Sequence, residues 1–252
     1  MKKLTYSFAF IIIIALVSCS KYDNFDEPSA TLTGRVVDVT NKNTLIQTEY
    51  GGGGTRIKLE EISWSDNPTP FYFNSMQDGT FNNTKLFPGT NKVSVEGPFV
   101  PLVQFDNNGA VIVDKRQTVE LGKGVTEIEF QVEPLLRLQW LGEPVLNADS
   151  SITIQVKVSR GTGNSNFQAD VSDVFFYLNT VPFVGNNNYD NRYSKQVTYS
   201  GSAGNNILDQ TLTIKTTGKL PPKRSYWLRV GARTTYGLKQ YNYTDIKTIA
   251  IP

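Results

Sequence analysis

Residues 152–158 read Ile152-Thr153-Ile154-Gln155-Val156-Lys157-Val158, in which every second side chain is apolar and β-branched. A period of two places these apolar side chains on one face of a β-strand, because successive side chains of a strand point to opposite faces. The same alternation recurs in two later sets: Val174, Phe176 and Leu178; Tyr226, Leu228, Val230 and Ala232. We therefore predict that the second half of the chain is built from sheets with one buried face.

The first half of the chain shows the same pattern. Its one-sided apolar sets are Leu32, Gly34 and Val36; Ile57 and Leu59; Val93 and Val95; Ile128, Phe130 and Val132. Asp78-Gly79 and the run Asp106–Gly109 are turn sequences typical of β-hairpins. In the second half of the chain, one more strand is predicted from Leu208, Leu212 and Ile214. No long stretch after residue 28 has the helical period, so the sequence predicts an all-β protein.

A domain boundary is predicted at Glu133-Pro134. Proline cannot join the ladder of a central strand and fits at a strand start, and the apolar alternation begins again after it. The two parts, 29–133 and 134–252, each fall near the usual size of a domain with its own core. Short strands at such spacing are typical of β-sandwiches, so we expect two of them in tandem.

The N-terminus has the order of a secretory signal: a basic head at 1–3, then an apolar run from Leu4 to Val17. The run is shorter than the roughly 20 residues that span a bilayer. It ends in Leu16-Val17-Ser18-Cys19, which resembles the lipobox of bacterial lipoproteins. This resemblance implies a signal peptide at 1–18, cleavage before Cys19, and acylation of Cys19 as a membrane anchor.

Residues 19–28 form an acidic segment that ends in proline, which we interpret as an extended tether. Its start, Cys19-Ser20-Lys21, followed by Asp and Glu, resembles the surface-export signals of Bacteroidota lipoproteins. The expected location is the outer membrane, lipid-anchored and facing the cell surface. Loss of residues 1–18 removes Lys2 and Lys3 and lowers the formal charge from +2 to 0. A neutral chain without a basic block is not expected to bind nucleic acid.

Two further resemblances concern the domains. Residues 29–133 resemble a carboxypeptidase-regulatory-like domain, a prealbumin-type sandwich, through Thr33–Asp38, Asp78–Phe81 and Leu86–Thr90. Residues 134–252 resemble a fibronectin type III (Ig-like) domain through Leu220–Tyr226. The combination resembles a Bacteroidota lipoprotein family, with a domain of unknown function, found beside starch-utilisation-like uptake systems. It implies an accessory role in glycan uptake, with the porin and the capture lipoprotein of such a system as partners.

The composition excludes several kinds of catalysis. The chain has no histidine, which excludes Ser-His-Asp and Cys-His catalysis and imidazole-based zinc sites. Its one cysteine is the predicted lipid site, and no cofactor motif is present. The Asn- and Asp-rich turns lack the spacing and distal Glu of a calcium loop. Glycoside hydrolysis needs only two carboxylates, but nothing in the sequence pairs any two. We expect a non-catalytic protein without metal or cofactor.

Aromatic side chains in polar loops are the candidate ligand-binding residues, because a flat ring can stack on the C–H face of a sugar. They are Trp64, Tyr189, Arg192, Tyr193 and Tyr236. The alternative for each is a packing role beneath its loop. Two functions follow: a glycan-binding accessory lipoprotein, or a structural adaptor that binds other envelope proteins and no glycan.

Overall fold

A computed structural model describes residues 26–252 of the protein. The predicted signal peptide, Cys19 and the tether as far as residue 25 lie outside the described residues.

The first domain contains ten strands. They are β1 (Ala30–Asp38), β2 (Asn41–Leu45), β3 (Arg56–Glu61), β4 (Phe71–Asn74), β5 (Thr80–Leu86), β6 (Gly89–Glu96), β7 (Val103–Phe105), β8 (Val111–Asp114), β9 (Gln117–Leu121) and β10 (Gly124–Val132). One sheet has β1 at its centre, with β10 on one side and both β2 and β5 on the other. The second sheet has the order β4-β3-β6-β9, and β7 pairs with β8. β1 and β10 run parallel, and the other pairs are antiparallel. The predicted one-sided apolar sets of β1, β3 and β6 are buried between the two sheets.

One turn differs from its prediction. The Asp78-Gly79 turn is not a hairpin, because β4 pairs with β3 and β5 pairs with β1, so the turn carries the chain from one sheet to the other. Gly79 has φ +85°, and a Cβ there would lie 2.4 Å from the carbonyl oxygen of Ile46. Only glycine tolerates both conditions. The hairpin predicted at Asp106–Gly109 is confirmed, since it joins β7 to β8.

The second domain contains nine strands and two short 3-10 helices. The strands are β11 (Leu136–Trp140), β12 (Val145–Leu146), β13 (Ile152–Arg160), β14 (Val171–Asn179), β15 (Lys195–Thr198), β16 (Thr211–Lys215), β17 (Arg224–Thr234), β18 (Asn242–Tyr243) and β19 (Lys247–Ile251). The helices are Ser165–Phe167 and Gly201–Ile207. In one sheet β13 lies between β16 and the pair β11 and β12. The other has the order β15-β14-β17, with β18 and β19 beyond β17.

The core of the second domain lies between these two sheets and includes the predicted sets on β13, β14 and β17, with Tyr226 buried among them. Leu208 was predicted in a strand but follows the second 3-10 helix, and β16 begins only at Thr211. The prediction of an all-β chain with two tandem β-sandwich domains is confirmed.

The two domains are docked through the outer face of the β14–β17 sheet. A buried apolar cluster lies on that face and consists of Phe175, Tyr177, Val184, Tyr241 and Tyr243. This cluster covers the outer face of β14 and the first domain covers Arg229 of β17, so the central residues of both strands are buried on both sides.

A buried arginine provides much of the polar contact between the domains. The Arg229 guanidinium of β17 donates to the carbonyl oxygens of Thr48, at 2.8 Å, and Gln77, at 3.2 Å, in the first domain. Its Cζ lies 4.2 Å from the centre of the Tyr243 ring, and the Tyr243 hydroxyl donates to the carboxylate of Glu49. Burial lowers the pKa of Arg229 to about 10, so it remains charged at neutral pH. The docking therefore fixes the relative position of the two sandwiches.

Candidate ligand-binding groove

Trp64 lies in the loop between β3 and β4 and is 79% exposed. Its side chain belongs to none of the buried apolar clusters among residues 26–252. Its indole is therefore exposed to solvent, and its ligand role stays a prediction.

Tyr189 lies in the loop between β14 and β15, which contacts the first domain through other residues. Its ring packs edge-on against Phe175, with centroids 5.0 Å apart, and against Tyr177, at 5.4 Å. The neighbouring backbone N–H of Asn186 donates to Glu49 of the first domain at 2.7 Å. The side chain of Asn187 donates to the carbonyl oxygens of Tyr50 and Gly52. The loop is thus held by the first domain, and the packing alternative describes Tyr189 well.

Arg192 and Tyr193 contact each other on the surface of the second domain. The Arg192 guanidinium donates to both carboxylate oxygens of Asp190, at 2.9 and 2.6 Å, and lies 5.1 Å from the Tyr193 ring centre. These bonds hold the pKa of Asp190 below its usual value. Tyr193 packs against the second core. Neither residue lines the cavity of about 450 Å³ that lies between the two domains, and their ligand role stays a prediction.

Tyr236 is the one predicted site residue that lines this cavity, a groove of about 450 Å³ between the two domains. Its ring packs edge-to-face on Phe167, with centroids 5.5 Å apart, and against Val100 and Leu135. Tyr236 lies in the turn that follows β17. The turn is held against the first domain by a hydrogen bond from the Gln240 amide to the carbonyl oxygen of Gly54.

The groove has apolar walls from both domains. Phe105 and Val111 stand on the β7–β8 hairpin of the first domain and are 60% and 50% exposed. Tyr236 and Leu238 face them from the second domain, and Leu238 is 83% exposed. Phe99 and Leu102 are buried in the first core and also border the groove. This wall exists only because the domains are docked.

The polar wall of the groove comes from β3, β6 and the β8–β9 turn. On β3 the alternation turns Ile57 and Leu59 into the core, which leaves Lys58 and Glu60 on the outer face. Lys58 Nζ lies 2.9 Å from Glu60 Oε1, and Arg116 contacts Glu60 Oε2 at 3.0 Å. Burial would raise the pKa of Glu60, but the hydrogen bonds from Lys58 and Arg116 outweigh it and hold the pKa below its usual value.

Asp114 holds Arg116 from the other side, at 2.7 Å. The hydrogen bonds from Arg116 lower the pKa of Asp114 to about 2, and those same bonds raise the pKa of Arg116. The groove thus combines apolar walls with an ordered set of charged hydrogen-bonding groups. Binding sites for small molecules commonly have this composition and a volume of about 300–1,000 Å³.

A second hollow, of about 440 Å³, lies elsewhere along the domain junction. Asp38 and Arg137 border it and are bonded to each other across the junction at 2.8 Å. The only aromatic residue that borders it, Tyr243, is buried in the interface. It therefore lacks the exposed apolar walls of the groove.

Residues 26–252 contain no group of three or more His, Cys, Asp or Glu side chains placed to hold a metal ion. In the same range, no helix has the length and apolar character needed to cross a bilayer.

The sequence predicts the part of the groove contributed by the second domain and not the part contributed by the first. Tyr236 is a predicted site residue because of its polar loop, whereas for Phe105 and Val111 the sequence predicts only the turn between them, Asp106–Gly109. The signal for the polar wall was present in Lys58 and Glu60, which alternate with Ile57 and Leu59. Arg116 lies 56 residues after Glu60, and no local pattern joins the two.

Comparisons with known proteins follow the two-domain division. Residues 30–133 match the profile "Protein of unknown function (DUF3823) N-terminal domain", and residues 144–248 match "Domain of unknown function (DUF3823_C)". No curated protein matches the chain.

Three solved structures of similar proteins cover this chain almost completely. A DUF3823 family protein from Bacteroides uniformis is 31% identical, with 89% of this chain and 100% of that chain covered and a TM-score of 0.82. A candidate carbohydrate binding protein from the same organism is 18% identical over the same shares, with a TM-score of 0.68. A DUF3823 family protein from Parabacteroides merdae is 18% identical over the same shares, with a TM-score of 0.64. Both halves of the family are present here in order, and the chain belongs to the DUF3823 family.

Proposed function

We propose that this protein binds a glycan in the groove between its two domains. In this proposal it is a non-catalytic lipoprotein, anchored through Cys19 to the outer membrane with its domains facing outward, and it serves a polysaccharide uptake system. The observation that supports binding is the groove itself, in which exposed apolar side chains face a charged hydrogen-bonding wall. The Bacteroides uniformis relative described as a candidate carbohydrate binding protein shares this fold and supports the same proposal.

The two walls suit the two kinds of surface on a sugar. A pyranose ring presents C–H groups on its faces and hydroxyl groups around its edge. Phe105 and Tyr236 offer apolar and aromatic surface from opposite domains, while Glu60, Arg116 and Gln240 offer acceptors and donors. A sugar ring placed between the walls would bury its C–H face and keep hydrogen bonds for its hydroxyls, which a buried polar group requires.

The carboxylates of the groove support binding rather than hydrolysis. Glycosidases need a general acid whose pKa is raised so that it carries a proton near neutral pH. Glu60 and Glu96 are the two acids that line the groove. Glu60 has a lowered pKa, and Glu96 is ion-paired with Arg56 at 2.7 Å. The lowered pKa of Glu60 does not suit it to protonate a leaving group, which supports binding rather than hydrolysis.

Affinity electrophoresis against a panel of polysaccharides tests the proposal. At least one glycan should retard the wild type, and Tyr236→Ala should weaken that affinity about tenfold, since an aromatic contact contributes roughly 0.5–1.5 kcal/mol. Leu238→Ser, on the exposed tip of the same turn, tests the same wall without removing a packed ring.

Trp64→Ala is the matched control outside the groove, and it should bind like the wild type. If Trp64→Ala abolishes retardation while the groove variants keep it, the ligand site is the β3–β4 loop and the groove is refuted. Retardation of the wild type by no glycan would refute glycan binding.

Exposed apolar residues on the β7–β8 hairpin and on the turn after β17 favour a second candidate function, docking of another envelope protein. Phe105, Val111 and Ile112 of the β7–β8 hairpin and Leu238 are all at least half exposed. Exposed apolar patches mark protein contact surfaces as well as ligand grooves. In this case no glycan would retard the protein, and Ile112→Ser would reduce its co-purification with the porin and capture lipoprotein of an uptake system.

A further inference from the structure

We infer that the groove selects an uncharged glycan, and that Glu60 and Arg116 together bind two adjacent hydroxyl groups of it. This inference rests on the proposed function and specifies the class of glycan.

The charges on the polar wall are already compensated. Lys58 and Arg116 both contact Glu60, and Arg116 also contacts Asp114, all within 3.0 Å. The remaining charged residue that lines the groove, Glu96, is paired with Arg56. The two cations and two anions of the lining therefore cancel. An acidic glycan would have to break an ion pair or accept repulsion from Glu60 and Glu96, so a uronate or sulfate group gains nothing here.

Hydrogen-bonding capacity remains although the charge is balanced. The Arg116 guanidinium has five N–H groups. Its contacts with protein use Nε and one N–H on each terminal nitrogen, toward Asp114 and Glu60, so two N–H groups remain. The Glu60 carboxylate has about four acceptor positions, and Lys58 and Arg116 use one each. The pair thus offers donors and acceptors side by side.

This arrangement matches a pair of neighbouring hydroxyl groups. A hydroxyl both donates and accepts, so one hydroxyl can donate to Glu60 while the next accepts from Arg116. The Glu60 and Arg116 side chains are only 14% and 20% exposed and hold each other in place. Because they are already ordered, binding costs little side-chain entropy. A hydrogen bond to a charged group is also about twice as strong as one between neutral groups.

The variant Glu60→Gln tests the inference because it keeps the size of the side chain and removes its negative charge. Lys58 and Arg116 then lose their shared counterion, and the lining gains one net positive charge. The wild type should be retarded by neutral glycans such as xyloglucan or galactomannan, with an affinity that changes less than about twofold between low and high salt. Glu60→Gln should bind these glycans about tenfold more weakly and should gain salt-sensitive retardation by polygalacturonate.

Glu127→Gln, at an exposed position of β10 in the other sheet, is the matched control and should bind like the wild type. Arg116→Gln should also lose neutral glycans but should gain no acidic ones, because it shifts the charge in the opposite direction. Thermal unfolding of each variant verifies that it is folded. Wild-type binding only to polygalacturonate or chondroitin sulfate would overturn this inference and leave the proposed function standing, whereas binding to no glycan would overturn both.

Discussion

Replacement of Arg229 by methionine tests whether the two domains form one unit. Methionine keeps an unbranched apolar stem of similar length and removes the guanidinium. Arg229 is fully buried, and it donates to Thr48 and Gln77 in the first domain and to Thr244 in its own. The substitution therefore leaves three carbonyl oxygens without this donor and removes the cation from the Tyr243 ring.

The expected loss of stability follows from these contacts. A hydrogen bond to a charged group contributes about 1.5–3 kcal/mol, and three of them give a gross loss of about 4.5–9 kcal/mol. Removal of a buried charge recovers part of this, because its desolvation costs several kcal/mol. We expect a net decrease of about 3–5 kcal/mol in the free energy of unfolding, in the range seen when a buried charge pair is broken.

Denaturant unfolding followed by fluorescence and circular dichroism measures this change. The wild type should unfold in one transition that both probes report alike, while Arg229→Met should separate the domains into two transitions. Arg224→Met is the matched control, since Arg224 is exposed on the same strand and its loss should change stability by less than about 0.5 kcal/mol. Two transitions in the wild type, or an Arg229→Met variant within about 1 kcal/mol of it, would refute the docked arrangement.

Three further predictions concern the turn, the junction and the anchor. Gly79→Ala should lower stability by about 1–3 kcal/mol in denaturant unfolding, because of its positive φ and the nearby Ile46 oxygen, whereas Gly52→Ala, with open space around it, should not. Burial would raise the pKa of Asp38, but bonds from Arg137 and Thr40 lower it below 3.8. The stabilisation contributed by ionised Asp38 is therefore present above pH 3.8 and is lost as the pH falls through the pKa of Asp38 in the folded protein. The free energy of unfolding of Asp38→Asn, measured as a function of pH, should lack this acid-dependent loss. Palmitate should label the wild type in its native cells and not Cys19→Ala, and an unlabelled wild type would refute the anchor.

The strands were predictable because each is governed by its own alternation. Ile152 to Val158 and Tyr226 to Ala232 lie in β13 and β17 with their apolar side chains in the core, as the period of two requires. The Asp78-Gly79 turn was misassigned because its sequence is equally local. A turn sequence specifies a local backbone conformation and does not determine which strands pair on either side of it.

The interface was not predictable from local pattern. Arg229 occupies an outward position of β17, where the alternation predicts a solvent-exposed side chain, yet it is buried because the first domain covers it. The Glu49 carboxylate accepts from Tyr243, 194 residues away. The groove depends on the same docking, so Tyr236 was identified as a loop aromatic while its partners across the groove, Phe105 and Val111, were not.

A crystal structure of the protein soaked with a neutral oligosaccharide that retards it in electrophoresis would test groove binding most directly. The account predicts a sugar ring between the Phe105 and Tyr236 walls, with adjacent hydroxyls bonded to Glu60 and Arg116. Density for the sugar at the Trp64 loop, or anywhere that leaves the groove empty, would contradict it.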